Sequence, residues 1–78
     1  MLRVQLKKEA SNYFFDNGDL TLDLRMAVEE LIYTNGIPTD GLHYVDPNGI
    51  HVWGIMDHVV VYKIEGNILT VIVVMPAN

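Results

Sequence analysis

Three histidines are the side chains of this sequence best suited to proton transfer near neutral pH. They are His43, His51 and His58, and all lie in the second half of the chain. Imidazole is the only side chain whose ordinary pKa lies between about 5 and 8, so it can act as general acid, general base or metal ligand. No two of the histidines have the HxH or HxxxH spacing of a zinc site. We therefore expect neither a metal nor another cofactor.

A tyrosine extends this group of titratable side chains. His51, His58 and Tyr62 are the candidates for catalysis, as a proton-transfer set that matches no familiar motif. The simpler alternative is a scatter of surface histidines, with His58 in an exposed turn pair beside Asp57. The chain has no cysteine, which excludes thiol nucleophiles and thiolate metal sites. It also has no glycine-rich phosphate loop.

Two aromatic residues and one acidic pair have both a functional and a structural interpretation. Trp53 and Tyr44 would suit a pocket or an interface, where aromatic residues are enriched, but packing against a helix is the simpler role. Glu29 and Glu30 resemble paired catalytic carboxylates. Because adjacent residues point about 100° apart on a helix, their carboxylates do not converge, and we expect a solvated helix face.

The charge balance argues against a nucleic-acid partner. Ten acidic and five basic residues give a formal net charge of −5, and three of the five cations lie within the first eight residues, at Arg3, Lys7 and Lys8. Nucleic-acid binding depends mainly on lysine and arginine that neutralise phosphates. We expect such binding to be weak or absent.

Length and composition indicate one small domain over residues 1–78. Half of the residues are hydrophobic, which is more than one small core can bury, so we expect self-association. No apolar run approaches the roughly 20 residues of a membrane span, and the N-terminus lacks the apolar region of a signal peptide. These features predict a cytoplasmic protein without membrane contact.

Hydrophobic periodicity predicts the elements that position these side chains. Period-two alternation over residues 2–6 predicts a strand, and helical spacing predicts helices over residues 8–17 and 22–34. Four later segments are predicted to be strands: residues 42–45, 50–56, 59–64 and 68–75. Turn residues at 46–49, 57–58 and 65–67 separate them. The expected fold is α+β, a two-helix hairpin on a small antiparallel sheet, in the order β-α-α-β-β-β with a further short strand at 42–45 left open.

The last strand, ILTVIVVM, is apolar on both faces apart from one threonine. Strands buried on both sides have this composition. One face can pack on the helices, and a second copy of the chain is the simplest cover for the other. We therefore predict a homodimer through the C-terminal strands, by sheet faces or by edge pairing, with Ile68, Thr70, Ile72 and Val74 at the interface.

The order and length of these elements resemble the RelE/ParE superfamily of bacterial toxins. Residues 57–64, DHVVVYKI, match the family's stretch Gly-Asp/Tyr-Arg-Val-Val-Tyr-x-Val, and a short turn and an apolar strand follow at 65–67 and 68–75. The segments 41–43 and 49–53 resemble the strand that precedes that hairpin. The resemblance implies the toxin fold over nearly the whole chain, and an antitoxin protein as partner.

The catalytic residues of the family do not carry over. Members that cut messenger RNA depend on basic residues in the second helix and central strands, and on a basic or tyrosine-bearing tail. Here Val59 stands at the arginine position, Arg25 is the only cation of the second helix, and the tail from Met75 to Asn78 has no charged side chain. The tyrosine at the position of Tyr62 is usually a core residue in the family. Phosphodiester cleavage needs a base, an acid and cations around the phosphate.

Three functions remain open at this point. The first is a toxin-family protein without ribonuclease activity that acts through protein–protein contact, with an antitoxin or with itself. The second is a small stand-alone homo-oligomeric α+β module. The third is a divergent ribonuclease that uses His51, His58 and Tyr62.

Overall fold

The chain forms one five-stranded mixed sheet with helices on one face. The computed structural model describes residues 1–78. The strands are β1 (Arg3–Leu6), β2 (Leu42–Val45), β3 (His51–Ile55), β4 (His58–Glu65) and β5 (Ile68–Pro76), and their spatial order is β1-β5-β4-β3-β2. The α-helices α1 (Lys8–Asn17) and α2 (Leu22–Glu30) both lie between β1 and β2 in the sequence. The predicted α+β class is confirmed.

One strand pair differs from the predicted antiparallel sheet. Strands β2 to β5 form the expected antiparallel meander, and the short strand left open in the sequence is present as β2. Strand β1 pairs parallel to β5, from Arg3 beside Ile68 to Leu6 beside Val71. A parallel neighbour requires a long crossover, which the helical region supplies. The sheet is therefore mixed.

The helical region also differs from the predicted two-helix hairpin. No loop separates two helices; residues 8–33 form one continuous helical stretch, in which 3₁₀ segments at Gly18–Thr21 and Leu31–Tyr33 follow α1 and α2. Thr21 does not cap α2; its Oγ1 donates to the carbonyl oxygen of Gly18 at 3.1 Å and closes the junction locally. None of the helices has the length and apolar character that a membrane crossing needs.

The core lies between the helices and one face of the sheet. Alternation along β4 assigns that face, because Val60 and Tyr62 are fully buried while their neighbours Val59 and Val61 are only partly so. The helices contribute Ala10, Phe14, Leu24, Val28 and Leu31 to the same core. Full burial of a valine, leucine or phenylalanine side chain in this core contributes about 1.5–3 kcal/mol to stability.

A β-bulge in β5 changes which residues face the helices. Tyr62 pairs with Val71 and Val61 pairs with Val73, so Ile72 has no partner across the strand. An unpaired extra residue reverses the alternation that follows it. Val74 therefore faces the helices and is 3% exposed.

Candidate functional site

Two of the three predicted catalytic residues lie together on the helix-facing side of the sheet. His51 pairs with Tyr62 across β3 and β4, and their rings stack with centroids 4.6 Å apart. His43, on β2, joins them through a 2.9 Å hydrogen bond between its Nε2 and Nδ1 of His51. The ring planes of the two histidines are 20° apart and their centroids are 5.2 Å apart, which fits one imidazole N–H pointing at the other ring's nitrogen. The pair shares one proton in this contact.

Burial sets the protonation of this group. His51 is 9% exposed, and its burial, together with the nearby His43, lowers its pKa from 6.5. Burial raises the pKa of Tyr62 to about 12, and its hydroxyl donates to the carbonyl oxygen of Gly36 at 2.6 Å. Burial therefore favours the neutral imidazole of His51 and the neutral phenol of Tyr62, whose hydroxyl is already hydrogen-bonded to the backbone. We interpret both side chains as structural.

His58 does not join this group. It lies opposite Ile55, four residues along β4 from Tyr62, a separation of about 13 Å along the strand. Its Nδ1 is 2.7 Å from the carbonyl oxygen of Met56, which can only accept, so Nδ1 carries the proton. Its Nε2 is 2.7 Å from the hydroxyl of Tyr13. These contacts fasten α1 to the β3–β4 hairpin.

The predicted set of His51, His58 and Tyr62 is therefore not assembled. Two members point into the core beneath the helices and the third lies at the far end of the hairpin. Nowhere in the chain do three or more histidine and carboxylate side chains converge on a position suited to a metal ion. The arrangement holds β2, β3, β4 and the segment at Gly36 together.

The opposite side of the sheet, here called the outer face, is the side away from the helices. Pairing across the strands places one set of side chains there, at Leu42, Tyr44, Val52, Val59, Val61, Val73 and Met75. Exposure rises toward β2, where Leu42 is 83% and Tyr44 is 61% exposed. Charged side chains enter this face only near β1, at Arg3, Lys63 and Glu65. Contiguous apolar side chains on an uncovered face are typical of a protein contact.

The four predicted interface residues occupy different positions. Val74 is a correction, because the bulge turns it into the core. Ile68 and Thr70 belong to the outer face beside β1, where Thr70 is 7% exposed, and Ile72 is the partly buried residue at the bulge. Edge pairing through β5 is also corrected from Ile68 to Val71, because β1 occupies that edge. The homodimer itself stays a prediction.

An acidic cleft lies between α2, the 37–41 loop and β3. It has a volume of about 290 Å³, and its charged lining residues are Asp23, Glu30 and Asp40. Trp53 forms part of its wall and is 2% exposed, with its Nε1 donating to the carbonyl oxygen of Asp40 at 2.8 Å. The sequence left a pocket or helix packing open for Trp53, and the residue does both.

The sequence predicted an uncovered sheet face from β5, but the residues that form the outer face on β2 and β3 were not predicted. The alternation of Val59 and Val61 with the buried Val60 and Tyr62 was visible in the sequence as the run HVVVYK, which is apolar on both faces. The exposed edge at Leu42–Val45 gave a weaker signal, because a four-residue strand has little periodicity.

Comparison with solved structures identifies the fold. A copper-bound mutant toxin from Helicobacter pylori superposes with a TM-score of 0.74 at 16% identity, over 97% of this chain and 94% of that chain. The YoeB-YefM complex from Staphylococcus aureus gives 0.71 at 14% identity, over 96% of this chain and 95% of that chain. A conserved hypothetical protein from Helicobacter pylori, solved in solution, gives 0.61 at 17% identity, over 97% of this chain and 94% of that chain.

The likeness to these proteins is structural. No protein-family model and no curated protein matches the sequence. The agreement nevertheless extends over almost the full length of each chain, in a set that includes a toxin–antitoxin complex. This protein has the RelE-like toxin fold, as its sequence resemblance to the RelE/ParE superfamily predicted.

Proposed function

We propose that this protein is a toxin-family protein that has no ribonuclease activity and acts through protein–protein contact, with an antitoxin as its natural partner. One observation carries the proposal. The middle of the outer face, where Val59 stands at the arginine position of the RelE/ParE superfamily, is lined by aliphatic side chains and by no cation. Such a surface is suited to burial against another polypeptide, and unsuited to stabilising the charge of a cleaved phosphodiester.

The remaining candidate catalytic groups support the same proposal. His51 and Tyr62 lie beneath the helices, on the side of the sheet opposite to Val59. The one cation of α2, Arg25, lies 3.5 Å from Glu29 through Nε and covers the ring of Phe14 at 5.9 Å. None of these groups faces a common substrate position.

The absence of cleavage is tested directly with purified protein. A messenger RNA incubated with micromolar protein, with and without ribosomes, should remain intact in a primer-extension assay. Variants His58→Ala and Tyr62→Phe are the matched controls. Reproducible cleavage by the wild type that is lost in either variant would contradict the proposal and favour the divergent ribonuclease.

The toxin role is tested by growth and by genomic neighbourhood. Induced expression should slow bacterial growth while messenger RNA stays intact, and co-expression of a small neighbouring gene should restore growth. Substitution of the outer face, Val61→Asp, should abolish the growth effect if the folded variant is present at the same level. If expression does not change the growth rate, the protein is better described as a stand-alone module without a toxin role.

Self-association is a second candidate for the same surface, favoured by the apolar outer face. Val73→Asp, on the outer face of β5, should then convert a homodimer to monomer or destabilise it, because a buried charge without a partner is costly. Light scattering at tens of micromolar distinguishes the two states. A folded wild-type monomer would remove this candidate and leave contact with another protein.

A further inference from the structure

The two edges of the sheet are unequally protected. Strand β1 forms one edge and alternates apolar with polar residues, including Arg3 and Gln5. Strand β2 forms the other edge and pairs only with β3. It has no lysine or proline, and Leu42, Tyr44 and Val45 are 83%, 61% and 48% exposed. Charged residues, proline or a covering element normally prevent an edge strand from pairing with another chain. Strand β2 has none of the lysines or prolines that do this, so its edge can pair with a further strand.

Strand β2 is exposed but held in place at both ends. Gly41 has a φ of +80°, and a side chain there would collide with the carbonyl oxygen of Gly54. The preceding residue, Asp40, accepts the indole N–H of Trp53 on its carbonyl oxygen. At the other end, the Asp46 carboxylate accepts the backbone N–H of Asn48 and of Ile50, at 2.8 and 2.9 Å. An edge already fixed in extended form loses little conformational entropy when a strand is added.

The segment of the chain that contains this edge has only negative formal charges. Residues 26–62 contain no lysine or arginine and five carboxylates, at Glu29, Glu30, Asp40, Asp46 and Asp57. Two of them, Asp40 and Asp46, bracket β2 in the sequence. The five cations of the chain belong to β1, the start of α1, α2 and the part of β4 beyond residue 62.

This distribution disfavours a second copy of the chain as the occupant. Antiparallel pairing of two β2 strands about a two-fold axis would place Asp46 of one copy beside Gly41 and Asp40 of the other. Each end of such a pair would bring two carboxylates near one another, which is unfavourable. A segment with a cation at each end reverses the sign of both contacts.

We propose that the β2 edge docks an extended, positively charged segment of another protein, which adds to the sheet as a sixth strand. Its backbone would pair with the open side of β2, and its terminal lysine or arginine side chains would meet Asp40 and Asp46. Apolar side chains on alternate positions would continue the outer face beside Leu42 and Tyr44. The inference rests on the proposed function, for which it names the recognition element and the charge of the partner.

A pair of synthetic peptides tests both the site and the charge. The probe is Lys-Val-Thr-Val-Thr-Val-Lys with a fluorescent label, and the matched control has glutamate in place of both lysines. The lysine peptide should bind roughly tenfold more tightly at low salt, because two cross-strand ion pairs replace two repulsive contacts. Amide signals of residues 41–46 should shift and become protected from hydrogen exchange. Equal affinity of the two peptides, or a footprint on β1, would overturn the proposal.

Variants locate the contact on the chain. Tyr44→Lys and Leu42→Lys each place a cation on the edge and should weaken binding of the lysine peptide by about tenfold, whereas Gln5→Lys on β1 should leave it unchanged. Asp40→Asn keeps the backbone carbonyl that holds Trp53 and should weaken binding by about two- to fivefold. Unchanged affinity in the two edge variants would refute the site. A wild-type dimer that Tyr44→Lys dissociates would assign the edge to a second copy instead.

These measurements do not depend on a growth effect. Peptide docking without growth inhibition would reject the toxin role and leave the recognition edge intact. Growth inhibition that Tyr44→Lys does not change, combined with no peptide docking, would reject the edge and leave the toxin role intact.

Discussion

His51 is a residue whose protonation the fold opposes. It is nearly buried, it stacks on Tyr62, and its Nδ1 shares a proton with Nε2 of His43. If both rings were protonated, two N–H groups would be set against each other in that contact. The lowered pKa of His51 is the thermodynamic expression of this environment, with burial as its main cause and His43 as the second.

A pH dependence of stability follows from that pKa. Because the pKa of His51 is lower in the folded chain than the ordinary 6.5, its contribution to stability is fully present above 6.5 and is lost as the pH falls through the folded value. Chemical denaturation between pH 7.5 and about pH 5 should show a falling free energy of unfolding, and His51→Gln should flatten this slope. Parallel curves for the two proteins would show that the histidine pair does not contribute.

At the scale of elements, the β3–β4 hairpin has an unusual turn. Met56 and Asp57 form its two-residue loop and have φ values of 50° and 58°. Two-residue turns of this kind favour Asn-Gly or Asp-Gly, because left-handed φ values strain other L-residues. The next hairpin uses Gly66, with a φ of 62°, at the first turn position. The backbone of the β3–β4 hairpin is therefore strained, whereas glycine avoids that strain in the β4–β5 hairpin.

Asp57→Gly should stabilise the protein by about 1 kcal/mol, because glycine adopts this conformation without steric cost. The carbonyl oxygen of residue 57, which accepts the N–H of Ala77 at 2.9 Å, is retained in the variant. Asn48→Gly is the matched control, since Asn48 is also an exposed turn residue but has no positive φ. A thermal shift in the control equal to that in Asp57→Gly would contradict the turn argument.

Elements were predictable where the signal was local. Helix α1 and strand β2 have the bounds that the sequence predicted, and the three-strand meander follows from its turn residues. The parallel pairing of β1, the bulge at Ile72 and the continuous helical stretch were not predicted. Each depends on partners distant in the sequence or on one unpaired residue, and periodicity within a segment has no information about either.

The site was less predictable than the fold for the same reason. Histidine, tyrosine and tryptophan drew attention by type, but the structure uses His51, Tyr62 and Trp53 inside the core. The surface available to a partner consists mainly of valines, a residue type that gives no functional signal in a sequence. Strand register decides which of these valines lie on the outer face. Two sequence observations pointed to the outer face: the last strand, which is apolar on both faces, and the alignment of Val59 with a family arginine.

At the scale of the whole molecule, the sign of the charge limits the partners. Ten carboxylates oppose five cations, and the only cluster of cations joins β1 to α1, at Arg3, Lys7 and Lys8. Arg25 is near Glu29, and Lys63 lies 3.2 Å from Glu65 through Nζ. Three cations can neutralise at most about three phosphates.

RNA should therefore bind only at or below the usual nonspecific strength, with a dissociation constant no tighter than about 10⁻⁴–10⁻⁶ M at physiological salt. Fluorescence anisotropy of a labelled single-stranded RNA should give a plot of log K against log salt with a slope no steeper than about −2, because each neutralised phosphate contributes about −0.7. The double variant Lys7→Glu, Lys8→Glu should abolish the residual binding, while Lys63→Glu should leave it unchanged. A steeper slope, or nanomolar affinity, would show that a cationic surface forms in some other state of the chain. The hypothesis of a divergent ribonuclease would then have to be considered again.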